Sequence, residues 1–191
     1  SLFDALFTEQ DSIRYIGGRT ELGCGFMADG YSRALGKPAV LVTSSGPGAA
    51  NSMHSMGEAY HSYSPILQLT TNVEKQYIDS GCGVLHEAKQ QIQMFRSVTS
   101  WNKLVTHINE IPSSIQEAFR LFHSKLPRPI ELEFSTDVLS EIANLEIPQT
   151  PEFHPPAVDE QSVTEAIYEI IRAKRPVIWV GEQLNYTGGT S

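Results

Sequence analysis

The sequence is poor in cysteine, and it has no long apolar run and no cluster of basic residues. Its 191 residues include two cysteines, Cys24 and Cys82, which form no Cys-x-x-Cys pair and are too few for a disulfide framework. No apolar stretch approaches the roughly 20 residues that a membrane-spanning helix needs. The net charge of -8, with Lys and Arg scattered along the chain, argues against a nucleic-acid or anionic-membrane surface. We therefore expect small-molecule chemistry in a reducing, cytoplasmic setting.

The domain organisation is expected to be that of a piece of a longer polypeptide. The chain begins at Ser1 without a methionine, signal peptide or transit peptide, and it ends at Ser191 shortly after an apolar segment. Residues 1–134 are predicted to form one domain that is truncated at its N-terminus, and residues 135–160 a proline-rich linker. Residues 161–191 are predicted to begin a further domain, also truncated.

Alternating strand and helix patterns predict an α/β fold. Short apolar runs predict strands at residues 13–17, 39–43, 66–70, 103–108, 129–134 and 176–181. Apolar residues at helical spacing predict helices at residues 20–35, 48–63, 86–95, 113–126 and 163–171. Because a strand-helix-strand succession gives parallel pairing, we predict a doubly wound, mainly parallel sheet of about six strands with helices on both faces. Residues 71–85 are predicted to form a loop.

Two features mark one edge of this sheet as a candidate site. Glu21 opens a helix whose first turn is rich in glycine, and Gly46-Pro47-Gly48 forms a turn before the next helix. In open parallel sheets, ligands bind beyond the carboxyl ends of the strands, where helix N-termini point free amides. A flat ring could lie against this bare backbone while Glu21 reaches one ring nitrogen. The alternatives are a first-turn glutamate stabilised by the helix dipole, and a tight connection that binds no ligand. A phosphate site is disfavoured because neither G-x-G-x-x-G nor G-x-x-x-x-G-K-[ST] is present.

The order and spacing of these motifs resemble a known family. Arg19-Thr20-Glu21 is followed by Phe26-Met27-Ala28-Asp29-Gly30-Tyr31, by Ser45-Gly46-Pro47-Gly48-Ala49-Ala50-Asn51, and later by Ser64-Pro65-Ile66-Leu67 and Pro127-Arg128-Pro129-Ile130-Glu131-Leu132. Over most of residues 1–150, the sequence is similar to the pyrimidine-binding N-terminal domain of thiamine diphosphate-dependent enzymes. The similar branch is that of acetolactate synthases, pyruvate oxidases and 2-oxo acid decarboxylases. The segment after residue 161 resembles the opening of their middle domain.

The resemblance implies a role for each candidate residue. Glu21 would be catalytic, because a carboxylate on the pyrimidine N1′ favours the imino tautomer that removes the thiazolium C2 proton. Ser44, Pro47, Asn51 and His86 are the cofactor-binding candidates beside Glu21. The implied cofactors are thiamine diphosphate and Mg²⁺, with the metal bound by a domain absent from this chain. The implied reaction is decarboxylation or carboligation of a 2-oxo acid. Its site would be completed by the diphosphate-binding domain of a second subunit in a homodimer or homotetramer, so the chain alone is expected to be inactive.

Three residues depart from the family pattern and leave the substrate class open. They are Thr20, where several relatives have His, His86, where many have Gln, and Ser100, where many have Lys. A histidine at position 86 could donate or accept a proton, which a glutamine cannot do, or it could be a surface residue at a helix start.

Other chemical groups in the sequence have plainer interpretations. His54, Glu58 and His61 share one helix face at a spacing that suits a metal, but a solvated polar face explains them as well. Cys24 is expected to be a small buried side chain rather than a nucleophile. The rival function is a non-catalytic interaction or regulatory domain of the same fold. A nucleotide-binding module is a second rival, which the missing phosphate motifs disfavour.

Overall fold

The protein is described from a computed structural model that covers residues 2–124, 126–149 and 157–181. The helices and strands in these residues are α1 (Leu2–Thr8), α2 (Glu21–Leu35), β1 (Ala39–Thr43), α3 (Pro47–His61), β2 (Ile66–Asn72), α4 (Gln91–Phe95), β3 (Trp101–Val105), α5 (Ile111–Ser124), β4 (Ile130–Ser135) and α6 (Glu160–Arg172). Short 3₁₀ helices lie at Lys75–Tyr77, Ile108–Glu110 and Val138–Ser140.

The four strands form one parallel sheet in the order β1-β2-β4-β3. The predicted α/β class, with a parallel sheet between helices, is confirmed. Among the described residues, the sheet has four strands rather than about six, because residues 13–17 and 176–181 form no strand. Their apolar side chains are exposed, and neither segment pairs with a strand of the sheet. An apolar run predicts burial, but a strand also requires a neighbouring strand.

The two faces of the sheet differ in chemistry. One face packs on α5 through an apolar cluster of Leu67, Val105, Ala118, Phe122, Ile130, Leu132, Phe134 and Val138. The opposite face, toward α3 and α4, carries buried polar side chains on alternate positions of β2 and β4: Gln68, Thr70, Asn72, Glu131, Glu133 and Ser135. The sheet therefore has one apolar face and one polar face.

Helices α2 and α3 pack closely because small residues line their contact. Gly25 lies so near Ser55 that a Cβ on this glycine would overlap the serine side chain. Thr20 caps α2 by accepting a hydrogen bond from the backbone N–H of Gly23 at 3.1 Å. Gly36 ends the helix in the left-handed conformation, with φ of 61°. The predictions of α2 and α3 are confirmed, and their close approach sets the width of the crevice at their N-terminal ends.

The helix predicted at residues 86–95 is much shorter than expected. Only Gln91–Phe95 is helical, because His86 and Gln90 both have positive φ values, of 65° and 55°. The helix predicted at residues 163–171 is confirmed as α6, whose side chains are all exposed. Part of the predicted linker, residues 150–156, lies outside the described residues. Within the part of the chain that is described, no helix is long and apolar enough to cross a membrane.

Candidate functional site

The candidate site lies where two helices begin beyond the sheet. Glu21 is the first residue of α2, and Pro47 is the first residue of α3, which follows β1 after a turn of three residues. The sequence builds this arrangement with Thr20 as the cap of α2 and with Gly46, at φ of 57°, as the residue before α3. Both helix N-termini therefore face the same crevice.

Glu21 is in direct contact with the second helix. Its Oε2 accepts a hydrogen bond from Asn51 Nδ2 at 3.2 Å, across 30 positions of sequence. Its Oε1 lies over Gly48, where an added Cβ would stand 3.4 Å away. The carboxylate is partly exposed, since the residue is neither buried nor fully solvated. The arrangement is one acid, oriented by one amide, beside a glycine at the start of the second helix.

Ser44 and Pro47 border the same backbone. Ser44 directly follows β1 and is exposed, and its hydroxyl lies so close to Gly48 that a Cβ there would clash with it. Pro47 is exposed at the first position of α3, where a missing N–H costs nothing. The structure thus brings together four of the sequence-predicted residues: Glu21, Ser44, Pro47 and Asn51.

The fifth candidate, His86, reaches the site through its backbone. Its carbonyl oxygen lies against Gly46, and a Cβ on that glycine would be only 2.5 Å from it. The side chain of His86 is exposed. Glu87 orders the preceding loop by accepting hydrogen bonds from the N–H groups of Gly81 at 2.7 Å and Gly83 at 2.9 Å. These bonds, that of Gly81 foremost, lower the pKa of Glu87.

Two residues behind the turn were missed by sequence reasoning. Gln91 accepts a hydrogen bond from the Gly46 N–H at 2.6 Å, and it donates to Glu133 Oε2 at 3.0 Å. Burial raises the pKa of Glu133, while its hydrogen bonds from Gln91 and Asn72 oppose that rise. No pattern in the sequence marks Gln91 as buried, because a lone glutamine next to a loop is usually exposed.

A further acid, Glu131, lies deeper in the sheet. Glu131 is fully buried on β4, opposite Gln68 on β2, and burial raises its pKa well above that of an ordinary glutamate, with Glu133 adding to the rise. Among the described residues, neither of its carboxyl oxygens makes a hydrogen bond of normal geometry, and neither does Gln68 Oε1. A protonated carboxyl is the one form that could donate to such an acceptor. The nearby Thr70 side chain offsets only part of the rise in the pKa of Glu131. This acid belongs to the interior of the domain and not to the crevice.

A small cavity opens near the same edge of the sheet. Its volume is about 190 Å³, and its walls come from the ends of β1, β2 and β4 and from the loop before His86: Ser45, Asn72, Val73, Glu74, Tyr77, Val84, Leu85 and Thr136. The carboxyl edge of the sheet therefore offers space as well as polar groups.

The remaining sequence candidates lie elsewhere or have other contacts. His54 packs edge-on against Phe26, with ring centroids 5.7 Å apart, and Glu58 pairs with Arg33 at 3.2 Å. Within the described ranges, no group of three or more His, Cys, Asp or Glu side chains could hold a metal ion. Cys24 packs against the apolar cluster between α2, α3 and β1. Ser100 precedes β3 and so lies at the amino edge of the parallel sheet, opposite the crevice.

Comparison with known protein families finds one that matches the part of the chain containing the crevice residues. Residues 1–97 match the family described as thiamine pyrophosphate enzyme, N-terminal TPP binding domain. Thiamine pyrophosphate and thiamine diphosphate are the same compound. The matched residues include α2, the Gly46 turn, α3 and the loop that carries His86.

Curated relatives match nearly the whole chain. The large subunit of acetolactate synthase isozyme 1 from Escherichia coli is 33% identical over 94% of this chain and 32% of its own length. The mitochondrial acetolactate synthase catalytic subunit from Saccharomyces cerevisiae is 32% identical over 98% of this chain and 28% of its own length. The probable 2-ketoarginine decarboxylase from Pseudomonas aeruginosa is 36% identical over 67% of this chain and 23% of its own length. The chain thus spans a third or less of these relatives.

A solved structure shares the fold. The thiamine diphosphate-dependent 4-hydroxybenzoylformate decarboxylase from Rhodococcus jostii superimposes with a TM-score of 0.77 at 21% identity. The superposition covers 87% of this chain and 32% of the decarboxylase chain. At this identity, the likeness supports the doubly wound fold alone.

Proposed function

Since the chain belongs to the thiamine pyrophosphate enzymes through its N-terminal TPP binding domain, we propose that it forms the pyrimidine-binding half of an active site in an enzyme that acts on 2-oxo acids. In this proposal Glu21 is the catalytic acid, and Ser44, Pro47, Asn51 and His86 surround the cofactor ring.

One observation carries the proposal. The Glu21 carboxylate, the Asn51 amide and the Ser44 hydroxyl meet around Gly48 at the N-termini of α2 and α3. An aminopyrimidine is flat and carries a ring nitrogen that pairs with an acid, so these residues suit it. A domain that had lost catalysis would have no need for an acid in this crevice, which favours the enzyme over the regulatory alternative.

The residues of this chain have distinct tasks in the proposed reaction. The bound cofactor would supply a nucleophilic carbon that attacks the substrate carbonyl. Glu21 would hold a proton at the ring nitrogen, and Asn51 would keep the carboxylate aimed by its 3.2 Å hydrogen bond. Gly48 would leave Ser44 and Glu21 room to lie against the start of α3, since any side chain there would meet Ser44 and crowd Glu21.

The substrate class and the partners belong to the same proposal. Acetolactate synthase and 2-ketoarginine decarboxylase, the relatives named above, suggest carboligation or decarboxylation of a 2-oxo acid. A diphosphate-binding domain of a second subunit would bind Mg²⁺ and complete the site in a homodimer or homotetramer. Three apolar residues of α2, Leu22, Phe26 and Met27, are 38%, 40% and 50% exposed and would suit such an interface.

The domain boundaries and the cellular setting stay predictions. Residues 1–134 are proposed as the pyrimidine-binding domain, residues 135–160 as the linker and residues 161–191 as the start of the middle domain. Relatives from yeast and Arabidopsis are described as mitochondrial and chloroplastic, so a cytoplasmic location is not common to the family.

Exchange of the cofactor C2 hydrogen tests the proposal. In the enzyme that contains this chain, Glu21→Gln keeps the shape of the side chain and should slow the exchange, followed by NMR, by about a hundredfold to ten-thousandfold. The matched control is Glu160→Gln, since Glu160 also occupies the first position of a helix, α6. If both variants exchange as fast as the parent enzyme, Glu21 is not the activating acid.

A further inference from the structure

The buried side chain of Gln91 joins three parts of the domain. It is 1% exposed at the first position of α4. Its carbonyl accepts from the Gly46 N–H at 2.6 Å, while its amide nitrogen donates to the Thr71 carbonyl at 2.9 Å and to Glu133 Oε2 at 3.0 Å. One side chain therefore links the turn before α3 to the ends of β2 and β4.

These partners leave the Gln91 amide only one orientation. Thr71 and Glu133 both offer oxygen atoms, so the nitrogen must face them, and Gly46 offers an N–H, so the oxygen must face the turn. Glu133 is itself fixed by Asn72, which donates to its other carboxyl oxygen. The chain of hydrogen bonds runs without a break from β2 through β4 to the turn.

The turn at Gly46 is the part that needs such support. Gly46 has φ of 57° and ψ of -110°, a conformation that side chains rarely adopt, and it is buried. Helix α3 has no side-chain cap at Gly46, so apart from Pro47 at its first position its start depends on contacts with other segments. Without Gln91, the buried Gly46 N–H would lose its acceptor, which is costly away from water.

The position of this turn decides the position of the crevice residues. Gly48 and Asn51 lie in the first turns of α3, two and five residues after Gly46. Asn51 donates a hydrogen bond to Glu21, and a Cβ on Gly48 would lie 3.4 Å from Glu21 Oε1. We infer that Gln91, anchored by Glu133, is a positioning residue that sets the Gly46 turn, so that Gly48 and Asn51 meet Glu21 in the geometry that receives the cofactor ring. This inference rests on the proposed function for its consequence, but its structural part concerns this chain alone.

The first measurement needs no cofactor. Gln91→Met keeps the length of the side chain and removes its polar atoms, and it should speed amide hydrogen exchange at Gly46 by at least about tenfold in the enzyme that contains this chain, since the N–H loses its acceptor. The matched control is Gln68→Met, because Gln68 is equally buried on the polar face but bonds Thr43, Ser52 and Thr70 instead. In the control, exchange at Gly46 should change no more than exchange elsewhere in the domain.

The second measurement separates positioning from stability. Titration with thiamine diphosphate should show that Gln91→Met needs about tenfold more cofactor for half-maximal activity, the effect of one lost buried hydrogen bond, while the turnover number at saturation changes less. Gln68→Met should lose stability to a similar degree with no change in the cofactor requirement. A similar rise in both variants would overturn the inference and leave a general loss of stability as the cause.

A third measurement exchanges the side chains of Gln91 and Glu133 and asks whether the loss in cofactor activation is reduced. Gln91→Glu alone places a carboxyl against Glu133 and against the Thr71 carbonyl, and it should impair cofactor activation. The double variant Gln91→Glu with Glu133→Gln restores a donor and an acceptor between these two positions but leaves the Thr71 carbonyl without its donor, so the half-maximal cofactor concentration should recover in part. A loss in the double variant that is smaller than the sum of the two single losses supports the inference, and additive losses contradict it. If the parent enzyme does not respond to thiamine diphosphate, the proposed function fails. If it responds but neither Gly46 exchange nor the cofactor requirement changes in Gln91→Met, only the positioning role fails.

Discussion

Glu21 at the crevice and Glu131 within the sheet are the same side chain in opposite surroundings. Glu21 is partly exposed, it contacts Asn51 on another helix, and it lies at the start of α2. Glu131 is 0% exposed, neither of its oxygens makes a hydrogen bond of normal geometry to the described residues, and burial raises its pKa well above the ordinary value. Glu21 is accessible from the crevice, whereas Glu131 is enclosed and can affect only the stability of the domain. Burial and partners, rather than residue type, separate a site from an interior polar layer.

The contrast is sharpest in variants of Glu21. Glu21→Gln should lower the turnover number of the enzyme that contains this chain by about a hundredfold to ten-thousandfold, because the amide cannot hold the proton at the ring nitrogen. Glu21→Asp keeps the acid but withdraws it from Asn51, and a displacement of this size should cost about a hundredfold. Steady-state kinetics measures both effects.

The same variants should leave stability almost unchanged. Their free energies of unfolding in urea should stay within about 0.5 kcal/mol of the parent chain, as for a partly exposed side chain with one hydrogen bond. A Glu21 variant that loses several kcal/mol of stability together with activity would place this acid with Glu131, as part of the interior.

Much of the crevice could be predicted from sequence, and the interior could not. Glu21, Ser44, Pro47 and Asn51 were identified because the family motif lies at the starts of two helices, where local patterns are strong. The segment Ile130-Glu131-Leu132-Glu133-Phe134 alternates apolar and acidic residues, which ordinarily indicates a strand with one face in water. All six residues of β4 are buried, because α3 and α4 cover the polar face. Tertiary packing decides this, and a single sequence does not reveal it.

The fold was predictable to a similar extent. The four confirmed strands are those with a neighbouring strand beside them, and the two wrong predictions are apolar runs without one. The predicted length of α4 was too great, because the positive φ values of His86 and Gln90 depend on contacts with distant segments. One such contact is that of the His86 carbonyl with Gly46. Periodicity carries no information about such contacts.

Replacing the buried Glu131 should give the second-largest effect, a change in the free energy of unfolding that depends on pH. The pKa of Glu131 is raised in the folded state, so the stability that its protonated form contributes is complete below about 4.5, its ordinary value, and is lost as the pH rises toward the raised value. Each unit of pH in that window costs about 1.4 kcal/mol. Glu131→Gln removes this loss and adds an N–H donor opposite Gln68, so the variant should be more stable than the parent at pH 7 and no more stable at pH 4.

Urea unfolding at a series of pH values measures the difference. The matched control is Glu117→Gln, since the hydrogen bond from Arg120 lowers the pKa of Glu117 and reverses the sign of the pH dependence. Glu117→Gln should give no gain at pH 7. If Glu131→Gln is destabilising at every pH, the acid is charged and paired, contrary to the geometry described here.

Changing the contact between α2 and α3 should have an intermediate effect. Gly25→Ala places a Cβ into the side chain of Ser55, and overpacking of this kind costs about 1–3 kcal/mol of stability. The matched control on the same helix is Gly30→Ala, where nothing lies within 4 Å of the new Cβ. That variant should gain roughly 0.5–1 kcal/mol, because alanine loses less backbone entropy than glycine. Equal effects of the two variants in urea unfolding would mean that the helices are not in close contact.

The smallest effect is expected from the carboxylate at the rim of the crevice. Glu87 accepts hydrogen bonds from the N–H groups of Gly81, Gly83 and Val84, and these bonds, with Gly81 first, lower its pKa. The ordering of the loop is therefore complete above the ordinary pKa of a glutamate and is lost as the pH falls through the lowered value. Glu87→Gln should show the loosened loop at neutral pH, with faster amide exchange at Gly81 and Gly83 and little change in global stability.

The control for Glu87 is Glu74→Gln, since Glu74 is a nearby exposed acid whose carboxylate accepts a hydrogen bond from the Gln76 side chain rather than from the loop backbone. Hydrogen exchange followed by mass spectrometry can compare the two variants with the parent chain. Because the loop holds the His86 carbonyl against Gly46, loosening it should also raise exchange at Gly46, though less than the loss of Gln91 does. Unchanged protection at Gly81 and Gly83 in Glu87→Gln would show that the charge of Glu87 does not order this loop.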